Sequence, residues 1–329
     1  MITYPKFFIG PMSKNVVDSI IQFSGEENAS IGLIPSRRQV EYFGGYVNNW
    51  TTRGFIEYVR SNSSNIVLER DHSGPLQGYE EDDGLDSLKA DAELGFDLIH
   101  VDPFKKHFHL EDALIETMNN IKFCNSINPN CLYEVGTEEA IRKYSPLQLD
   151  LFLNYLQHDL GELFEKIKFA VIQSGTKLES GKNIASLDEE RCRRMVDVCK
   201  KHGLRSKEHN GDYITESDIK ARFDIGLDAI NIAPEFGGIE TSCILQAIKE
   251  TNKEDLFNTF YKLCYDSNRW RKWFPRDFSP ENNKEQLIRV CGHYVFATDE
   301  FLEIKKQLLE VDHKICDQVK KKLKLLHSI

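Results

Sequence analysis

The chain has 329 residues, of which 40% are hydrophobic and 29% are charged, a composition typical of a folded protein with one large core or two ordinary ones. Its 52 acidic and 42 basic side chains give a net charge of -10, which argues against a broad electrostatic contact with nucleic acid or an anionic membrane. No apolar segment approaches the roughly 18 residues of a membrane span, and the first ten residues lack a signal-peptide pattern. The eight cysteines include no CxxC pair. We therefore expect a cytoplasmic protein with reduced thiols.

Short β-rich runs recur along the first two thirds of the chain, and each is followed by a polar turn and a segment with helical period. The eight runs cover residues 6–9, 30–34, 66–69, 97–101, 131–135, 169–172, 204–208 and 229–232. An open doubly wound sheet usually has fewer strands and a glycine fingerprint in its first turn, which this sequence lacks. The spacing therefore predicts an α/β protein with a (β/α)8 TIM barrel over residues 1–240.

Residues 241–329 lack this alternation and are rich in Lys, Glu, Leu and aromatic residues. We expect a helical extension packed on the barrel, ending in an amphipathic helix over residues 300–326. Within it, residues 268–276 read Asn-Arg-Trp-Arg-Lys-Trp-Phe-Pro-Arg, a mixture of bases and aromatics that also occurs in nucleic-acid sites. Because the chain is acidic overall, we expect no nucleic-acid or membrane partner, and we interpret the segment as a cap over the barrel mouth or a subunit contact.

Polar residues follow the ends of most of the predicted strands, where the side chains of such a barrel converge on one open mouth. These residues are Ser36, Arg37, Arg38, Gln39, Arg70, Asp71, His72, Asp102, Glu134, Thr137, Glu138, Gln173, Glu208, His209, Asp212 and Asn231. Two histidines and several carboxylates on different strands are what a divalent metal with imidazole and oxygen ligands requires. For Asp71 or Asp102 alone, a helix N-cap is an equally good interpretation, and only the joint placement of these residues favours a site. His100 stays open between a deep site residue and a core residue.

Two glycines follow the second predicted strand, in Phe43-Gly44-Gly45-Tyr46. Glycine at such a position allows the backbone to come close to a ligand, or it makes a tight turn. The sequence leaves both interpretations open.

Several short motifs stand in a fixed order along the chain. They are Gln39 with Phe43-Gly-Gly-Tyr46, Asp71-His-x-Gly-Pro75, Gly95-Phe96-x-x-Ile-His-x-Asp102, Gly136-Thr-Glu138, Val171-Ile-Gln173 and Glu208-His209-x-x-Asp212-Tyr213. In this order and spacing they resemble the Z-type subunit of class II tagatose-bisphosphate aldolases, from the second strand to Pro234. The resemblance implies the class II aldolase barrel. Z-type subunits are described as non-catalytic partners of a separate aldolase chain, whereas relatives are regarded as metal-dependent ketose-phosphate or uronate epimerases.

The resemblance also implies a site. Asp71 would be the acid/base, and His72 and His209 would be metal ligands. Gln173 stands where catalytic aldolases supply another histidine, so a site completed by oxygen from Glu138 or Glu208 is implied. The predicted cofactor is a divalent metal, with Zn²⁺ as the first choice. The predicted ligands are His72, His209, Gln173 and Glu208, and the predicted catalytic residues are Asp71, Glu138 and Asp102.

The chain departs from this family at the predicted mouth, where Arg37, Arg38, Lys105 and Lys106 stand in place of acidic or small polar residues. Guanidinium groups match the oxygens of phosphate or carboxylate, so we expect an anionic sugar as the substrate. The alternative is that both arginines pair with carboxylates of the following helix. The predicted substrate-binding residues are Gln39, Arg37, Arg38, Gly44, Gly45, Lys105, Asp212 and Asn231.

The leading hypothesis is a metal-dependent aldolase or epimerase that acts on a phosphorylated or otherwise anionic ketose by retro-aldol chemistry. A metal-bound carbonyl withdraws charge, and a carboxylate removes the C4 hydroxyl proton so that the C3–C4 bond breaks. Release of the aldehyde gives an aldolase, and re-addition to its other face gives an epimer. The alternative is a non-catalytic subunit that stabilises a separate aldolase chain, and a third possibility is an unrelated barrel isomerase. The expected partners beyond the sugar are a second copy of the chain or an aldolase subunit.

Overall fold

A computed structural model describes residues 4–329. Eight parallel strands form a closed barrel in which each strand pairs with its neighbours along the chain and the last pairs with the first. The strands are β1 (Phe7–Ile9), β2 (Ile31–Leu33), β3 (Ile66–Ser73), β4 (Leu98–Val101), β5 (Leu132–Val135), β6 (Ile167–Ile172), β7 (Arg205–Glu208) and β8 (Ala229–Ile232). Each strand lies at one of the eight predicted runs. The prediction of a (β/α)8 barrel is therefore confirmed.

A helix follows each strand. The eight helices are α1 (Lys14–Glu27), α2 (Thr52–Asn62), α3 (Leu85–Leu94), α4 (Leu110–Ile127), α5 (Pro146–Leu160), α6 (Glu189–Lys201), α7 (Glu216–Ile225) and α8 (Pro234–Thr251). Local sequence explains where they begin. The capping box of Ser145 and Gln148 starts α5, for example, because each side chain bonds the backbone N–H of the other residue. A short hairpin of Leu178–Glu179 and Lys182–Asn183 lies in the loop after β6.

Side chains alternate between the barrel interior and the helix layer, as the period of two in a strand requires. The outward side chains join the main core between strands and helices. The inward ones form a separate apolar layer of Phe8, Ile34, Val67, Leu98, Phe169 and Ala229. The barrel is therefore filled by side chains, and its chemistry is confined to the layers nearer the carboxyl ends of the strands.

A buried ion network lies next to this apolar layer. The ammonium group of Lys207 donates to Glu69 and, at 2.6 Å, to Glu134. The same ammonium lies 3.7 Å from the ring centroid of Phe8. Two carboxylates and an aromatic face compensate for the loss of water around the buried charge. Since these side chains lie inside the barrel, they can form hydrogen bonds to side chains at its mouth.

The extension contains four further helices, α9 (Glu254–Asp266), α10 (Lys284–Cys291), α11 (Asp299–Lys305) and α12 (Val311–His327), with 3₁₀ turns at Arg269–Lys272 and Gly292–Tyr294. The single helix expected over residues 300–326 is two helices, because Glu310 adopts a left-handed backbone conformation with φ of 54°. The apolar face of α12 packs against α1 and α8. Helix α8 runs across position 240, so the barrel and the extension share it. No helix within residues 4–329 is long and apolar enough to cross a membrane.

Candidate metal centre at the barrel mouth

Four side chains from three strands converge at the mouth. Asp71 and His72 end β3, His100 lies in β4, and His209 follows β7. One ligand atom from each residue lies within 4.8 Å of the others. Oδ1 of Asp71 is 3.8 Å from a nitrogen of each histidine, and Nε2 of His72 is 3.3 Å from Nδ1 of His209. We call these four residues the histidine cluster.

Strand geometry explains how the cluster forms. Asp71, His100 and His209 point inward because each is two residues along the strand from an inward side chain, namely Glu69, Leu98 and Lys207. His72 would then point outward, as the neighbour of Asp71.

A bulge in β3 changes the direction of His72. The register between β3 and β4 shifts between Arg70 and Ser73, and His72 has a φ of 45°. Such a conformation costs a non-glycine residue about 1–3 kcal/mol and is concentrated at functional sites. The bulge brings two consecutive side chains, Asp71 and His72, to the same site.

Two carboxylates fix the orientation of two histidines. Oδ2 of Asp102 lies 2.6 Å from Nδ1 of His72, and Oε1 of Glu134 lies 2.7 Å from Nε2 of His209. A carboxylate acceptor keeps a proton on the nitrogen that faces it, so the other nitrogen presents a lone pair to the centre. Burial would raise the pKa of Glu134, but Lys207 and the nearby histidines outweigh burial and lower it. Glu134 is therefore an ionised acceptor for His209.

His100 has the same arrangement with a backbone acceptor. Its Nε2 lies 3.0 Å from the carbonyl oxygen of Gly136, and its Nδ1 accepts the backbone N–H of His72 at 3.2 Å. With the proton on Nε2, the single lone pair of Nδ1 accepts this N–H, and Nδ1 lies 3.8 Å from Oδ1 of Asp71. His100 would give up the hydrogen bond to His72 on binding a metal. The sequence left His100 open, and the structure places it in the cluster.

The charges of the cluster depend on one another. Burial lowers the pKa of His72, but the carboxylates of Asp71, Asp102 and Glu138 outweigh burial and raise it to about 10. Burial would raise the pKa of Asp71, yet the neighbouring histidines hold it well below its usual range. Without a metal, His72 therefore stays protonated and supplies the positive charge of the cluster. A divalent cation would take the place of that proton.

The cluster fits a divalent metal. Buried Oδ1 of Asp71 has no hydrogen-bond partner, although it faces three imidazole nitrogens. Nitrogen and carboxylate oxygen at about 2.0–2.2 Å are common zinc ligands, and tetrahedral ligands at that radius lie about 3.4 Å apart. The separations of 3.3 and 3.8 Å are close to that spacing, and the ligand atoms all lie within 4.8 Å of one another, so the widest-spaced side chains would move inward on binding a metal.

Several solved structures share this fold, although no family model matches the chain and no curated protein matches its sequence. A probable tagatose 6 phosphate kinase from Sinorhizobium meliloti 1021 is 15% identical, with a TM-score of 0.79 over 98% of this chain and 99% of that chain. Fructose-bisphosphate aldolase from Campylobacter jejuni is 12% identical, with a TM-score of 0.61 over 99% of this chain and 91% of that chain. The fructuronate-tagaturonate epimerase UxaE from Cohnella laeviribosi is 10% identical, with a TM-score of 0.66 over 98% of this chain and 81% of that chain.

The chain shares the barrel fold of these three structures. The likeness extends over nearly the whole chain, so it includes the helical extension. These neighbours are consistent with the resemblance to tagatose-bisphosphate aldolases, and at this level of identity they establish the fold.

Two predicted metal ligands lie outside the histidine cluster. Glu208 points outward because it neighbours inward-facing His209, and it accepts hydrogen bonds from Ser174 Oγ at 2.5 Å and Arg222 Nε at 2.7 Å. Gln173 donates its amide N–H groups to the carbonyl oxygens of residues 137 and 142 at 3.0 and 2.7 Å. Its amide oxygen accepts from the backbone N–H of residue 144. The geometry therefore does not support either residue as a ligand, since hydrogen bonds within the protein hold both side chains.

The predicted catalytic carboxylates lie in different surroundings. Asp102 is fully buried and accepts hydrogen bonds from His72 and from Thr137 Oγ1, the latter at 3.1 Å. Its position is that of a residue that orients His72. Oε2 of Glu138 is 3.8 Å from Nε2 of His72 and accepts from Asn210 Nδ2 at 2.5 Å. Glu138 is 19% exposed and lines an open cavity of about 540 Å³, so of the two it is the one that a ligand can reach.

The two predicted anion-binding arginines differ. Arg37 is only 1% exposed and pairs with Glu41 at 2.7 Å and Asp82 at 2.6 Å. Arg37 is therefore paired with carboxylates, but these lie in the loops after β2 and β3 and not in the following helix as the alternative interpretation held. The structure does not support Arg37 as a substrate ligand. Arg38 is half-buried, and its Nε donates to the carbonyl oxygen of Gly78 at 2.9 Å.

The loop after β2 is held by its own hydrogen bonds. Gln39 accepts the backbone N–H of Ser36 at 2.8 Å. A Cβ on Gly45 would lie 2.1 Å from the carbonyl oxygen of Gln39, and Gly44 has a φ of 114°. The structure therefore favours the turn interpretation of these glycines, and it gives Gln39, Gly44 and Gly45 a role in shaping the loop.

Two further predicted substrate residues lie near β8. Asp212 accepts the backbone N–H groups of Ala233 at 2.9 Å and Glu235 at 2.8 Å, so it binds the start of α8. Burial raises its pKa to about 8. Asn231 points inward at the end of β8, and its buried Oδ1 has no hydrogen-bond partner. Of these two, Asn231 is the one with a polar atom free for a ligand.

Lys105 lies on the rim of the mouth, in the 3₁₀ turn after β4. Burial and the nearby Arg38 and Lys272 lower its pKa to about 8, against the opposing effect of Asp102 and Glu138. Lys272 was not among the predicted site residues. The one sequence feature that pointed to it was the basic and aromatic segment 268–276, which we expected to cover the barrel mouth.

Proposed function

We propose that the chain is a metal-dependent aldolase or epimerase that breaks the C3–C4 bond of an anionic ketose by retro-aldol chemistry. The observation that carries this proposal is the convergence of Asp71 Oδ1 with one nitrogen of each of three histidines at the mouth of the barrel. Fold neighbours that include fructose-bisphosphate aldolase and a uronate epimerase support it.

In this proposal, His72, His100, His209 and Asp71 hold a divalent metal, with Zn²⁺ as the first choice because of the nitrogen-rich ligand set. A metal held by these residues would supply Lewis-acid chemistry: it would polarise the ketose carbonyl and would stabilise the negative charge that develops when the C3–C4 bond breaks. Asp102 and Glu134 keep the lone pairs of His72 and His209 directed at the centre.

Glu138 is our candidate for the acid/base. It borders the cluster at 3.8 Å from His72 and, unlike Asp102, it does not orient a histidine. Its carboxylate accepts the C4 hydroxyl proton as the C3–C4 bond breaks and returns a proton when the bond re-forms. Asn210 donates to it and keeps the carboxylate in place. The competing assignment, which the resemblance implies, gives this role to Asp71.

Screening the purified chain without any added partner tests the proposal. Ketose phosphates and uronates would be supplied with Zn²⁺, and aldehyde release and epimer formation would be measured separately. We expect one of these products, with loss of turnover in Glu138→Gln and unchanged turnover in His158→Ala, a histidine on the exposed face of α5. No turnover by the chain alone, together with increased activity of an added class II aldolase, would contradict the proposal and favour a stabilising subunit.

A further inference from the structure

The short hairpin in the loop after β6 borders the candidate site. Its tip is fixed to the helical extension, because Ser180 donates its backbone N–H to the carbonyl oxygen of Trp273 at 2.8 Å. Residues 175–178 of the same loop line the cavity of about 540 Å³ that Glu138 and Asn210 also line. The loop after β6 is therefore one wall of the space that the proposed acid/base faces.

Asn183, in the second strand of this hairpin, binds the loop after β7. Its Nδ2 donates to the carbonyl oxygens of Asn210 at 3.0 Å and Asp212 at 3.1 Å. Its Oδ1 accepts the backbone N–H of Lys177 at 3.2 Å. Both amide hydrogens and the amide oxygen are thus in use. The side chain therefore has a fixed orientation and no donor left for a ligand.

The loop that Asn183 binds has an uncommon backbone. Asn210 has a φ of 58°, in the left-handed region that a non-glycine residue keeps only when its surroundings hold it there. Thr176 Oγ1 donates to the carbonyl oxygen of His209 at 3.0 Å. The loop after β6 thus binds three carbonyl oxygens within residues 209–212. These hydrogen bonds stabilise the turn that directly follows His209, a proposed metal ligand.

The turn sets the direction of the Asn210 side chain. Its Nδ2 donates to Oε2 of Glu138 at 2.5 Å, and within residues 4–329 no other side chain donates a hydrogen bond to this carboxylate. A carboxylate that accepts a proton from one position on a substrate needs a fixed orientation, since a misplacement of about 1 Å can cost about 10²-fold in rate. Hydrogen bonds therefore link the hairpin to Glu138 through Asn210.

We propose that Asn183 is a positioning residue that keeps Glu138 in place for proton transfer by fixing Asn210. This inference rests on the proposed function, in which Glu138 is the acid/base. Asn183 acts through the loop after β7 and not on the substrate, because its own polar atoms bind backbone groups. The hairpin thus contributes to the reaction although it supplies no reacting group.

Kinetic analysis of Asn183 variants tests this role. Asn183→Asp is the sharpest change, because a carboxylate still accepts the N–H of Lys177 but cannot donate to the two carbonyl oxygens. We expect it to lower kcat about 10- to 100-fold with little change in KM. Lys182→Ala is the matched control, because Lys182 precedes Asn183 in the same hairpin strand and is exposed. It should keep the kcat of the parent chain.

A double variant separates a positioning role from a merely structural one. Asn210→Gly removes the donor to Glu138, and glycine adopts the left-handed conformation without support. If Asn183 acts through Asn210, adding Asn183→Asp to Asn210→Gly should lower kcat no further, whereas independent losses of kcat would multiply. Losses that multiply would overturn the inference, as would a parent-like kcat in Asn183→Asp.

The NMR signal of the Asn210 side-chain amide gives a readout that needs no turnover. Its absence in Asn210→Gly assigns it. We expect Asn183→Asp to shift this signal, as Glu138→Gln should, and Lys182→Ala to leave it in place. An unshifted signal in Asn183→Asp would overturn the inference. A shifted signal in a chain that turns over no sugar would support the link from Asn183 to Glu138 and contradict only the proposed function, so the two failures are distinguishable.

Discussion

Glu134 accepts a hydrogen bond from Nε2 of His209 at 2.7 Å, and its second oxygen accepts one from Lys207 at 2.6 Å. This carboxylate connects the buried ion network of the barrel to the candidate metal centre. Because Lys207 keeps Glu134 ionised, the proton on Nε2 is fixed and Nδ1 of His209 is free to bind a metal. The ion pair of Lys207 and Glu134 inside the barrel therefore determines which nitrogen of His209 carries the proton at the mouth.

We expect Glu134→Gln to weaken zinc binding about 10- to 100-fold, because an amide no longer fixes the tautomer of His209. Competition with a chromophoric chelator measures this affinity. Glu138→Gln is the control, since Glu138 faces the mouth and orients no histidine. Unchanged zinc affinity in Glu134→Gln would show that His209 does not depend on this contact.

The three histidines of the cluster should contribute to metal binding in a similar way. His72→Ala, His100→Ala and His209→Ala should each lower bound metal, as measured by elemental analysis after dialysis. His158→Ala should retain it, because His158 is 83% exposed and pairs with Asp159. If His100→Ala alone kept full metal content, His100 would be a core residue that supports the backbone of His72.

Paired variants separate the roles of Asp71 and Glu138. Asp71→Asn should lose metal together with activity, because its Oδ1 faces three imidazole nitrogens. Glu138→Gln should keep its metal and lose about 10²- to 10⁴-fold in kcat, the usual contribution of an acid/base group. Metal content and kcat are measured on the same preparations. The reverse pattern, with metal retained in Asp71→Asn, would assign the acid/base to Asp71 as the resemblance implies.

A pH dependence of stability is expected at Glu240, which is buried between α8 and α1 and bonds Ser13 and Asn15. Burial raises the pKa of Glu240 to about 7, against the opposing effect of these hydrogen bonds. Below pH of about 4.3, the ordinary value for glutamate, both folded and unfolded states are protonated. As the pH rises to 7, the unfolded state loses its proton first, so this residue makes folding less favourable.

Glu240→Gln should therefore be more stable than the parent chain at pH 8, by up to about 3 kcal/mol, and the difference should vanish near pH 4. Urea unfolding at the two pH values measures it. An equal difference at both would mean that ionisation of Glu240 does not control the effect.

The sequence was sufficient to predict the fold because each strand carries a local signal. Alternation between apolar runs and helical segments predicted all eight strands of the barrel. Side-chain alternation also separates His209 from Glu208, since adjacent residues of a regular strand face opposite sides. Applied to these two positions, it would have removed Glu208 from the predicted ligands.

The rest of the site depends on features that no local pattern carries. The bulge that directs His72 inward arises from the register between β3 and β4. The position of Lys272, which lines the same cavity as Glu138, depends on how the extension packs on the barrel. For His100, the sequence did carry a signal. Side chains two residues apart in a strand face the same side, and Asp102 stands two residues after His100. Choosing between a ligand and a core histidine required its distance to Asp71.

The central claim is that the chain alone uses a metal held by the histidine cluster to act on a sugar. The most direct measurement is the metal content of the purified chain followed through removal by a chelator and addition of Zn²⁺, with turnover recorded at each stage. We expect about one metal per chain, loss of turnover when the metal is removed, and recovery of turnover when zinc is added. Turnover that persists in the metal-free chain, or a chain that binds no zinc at all, would contradict it.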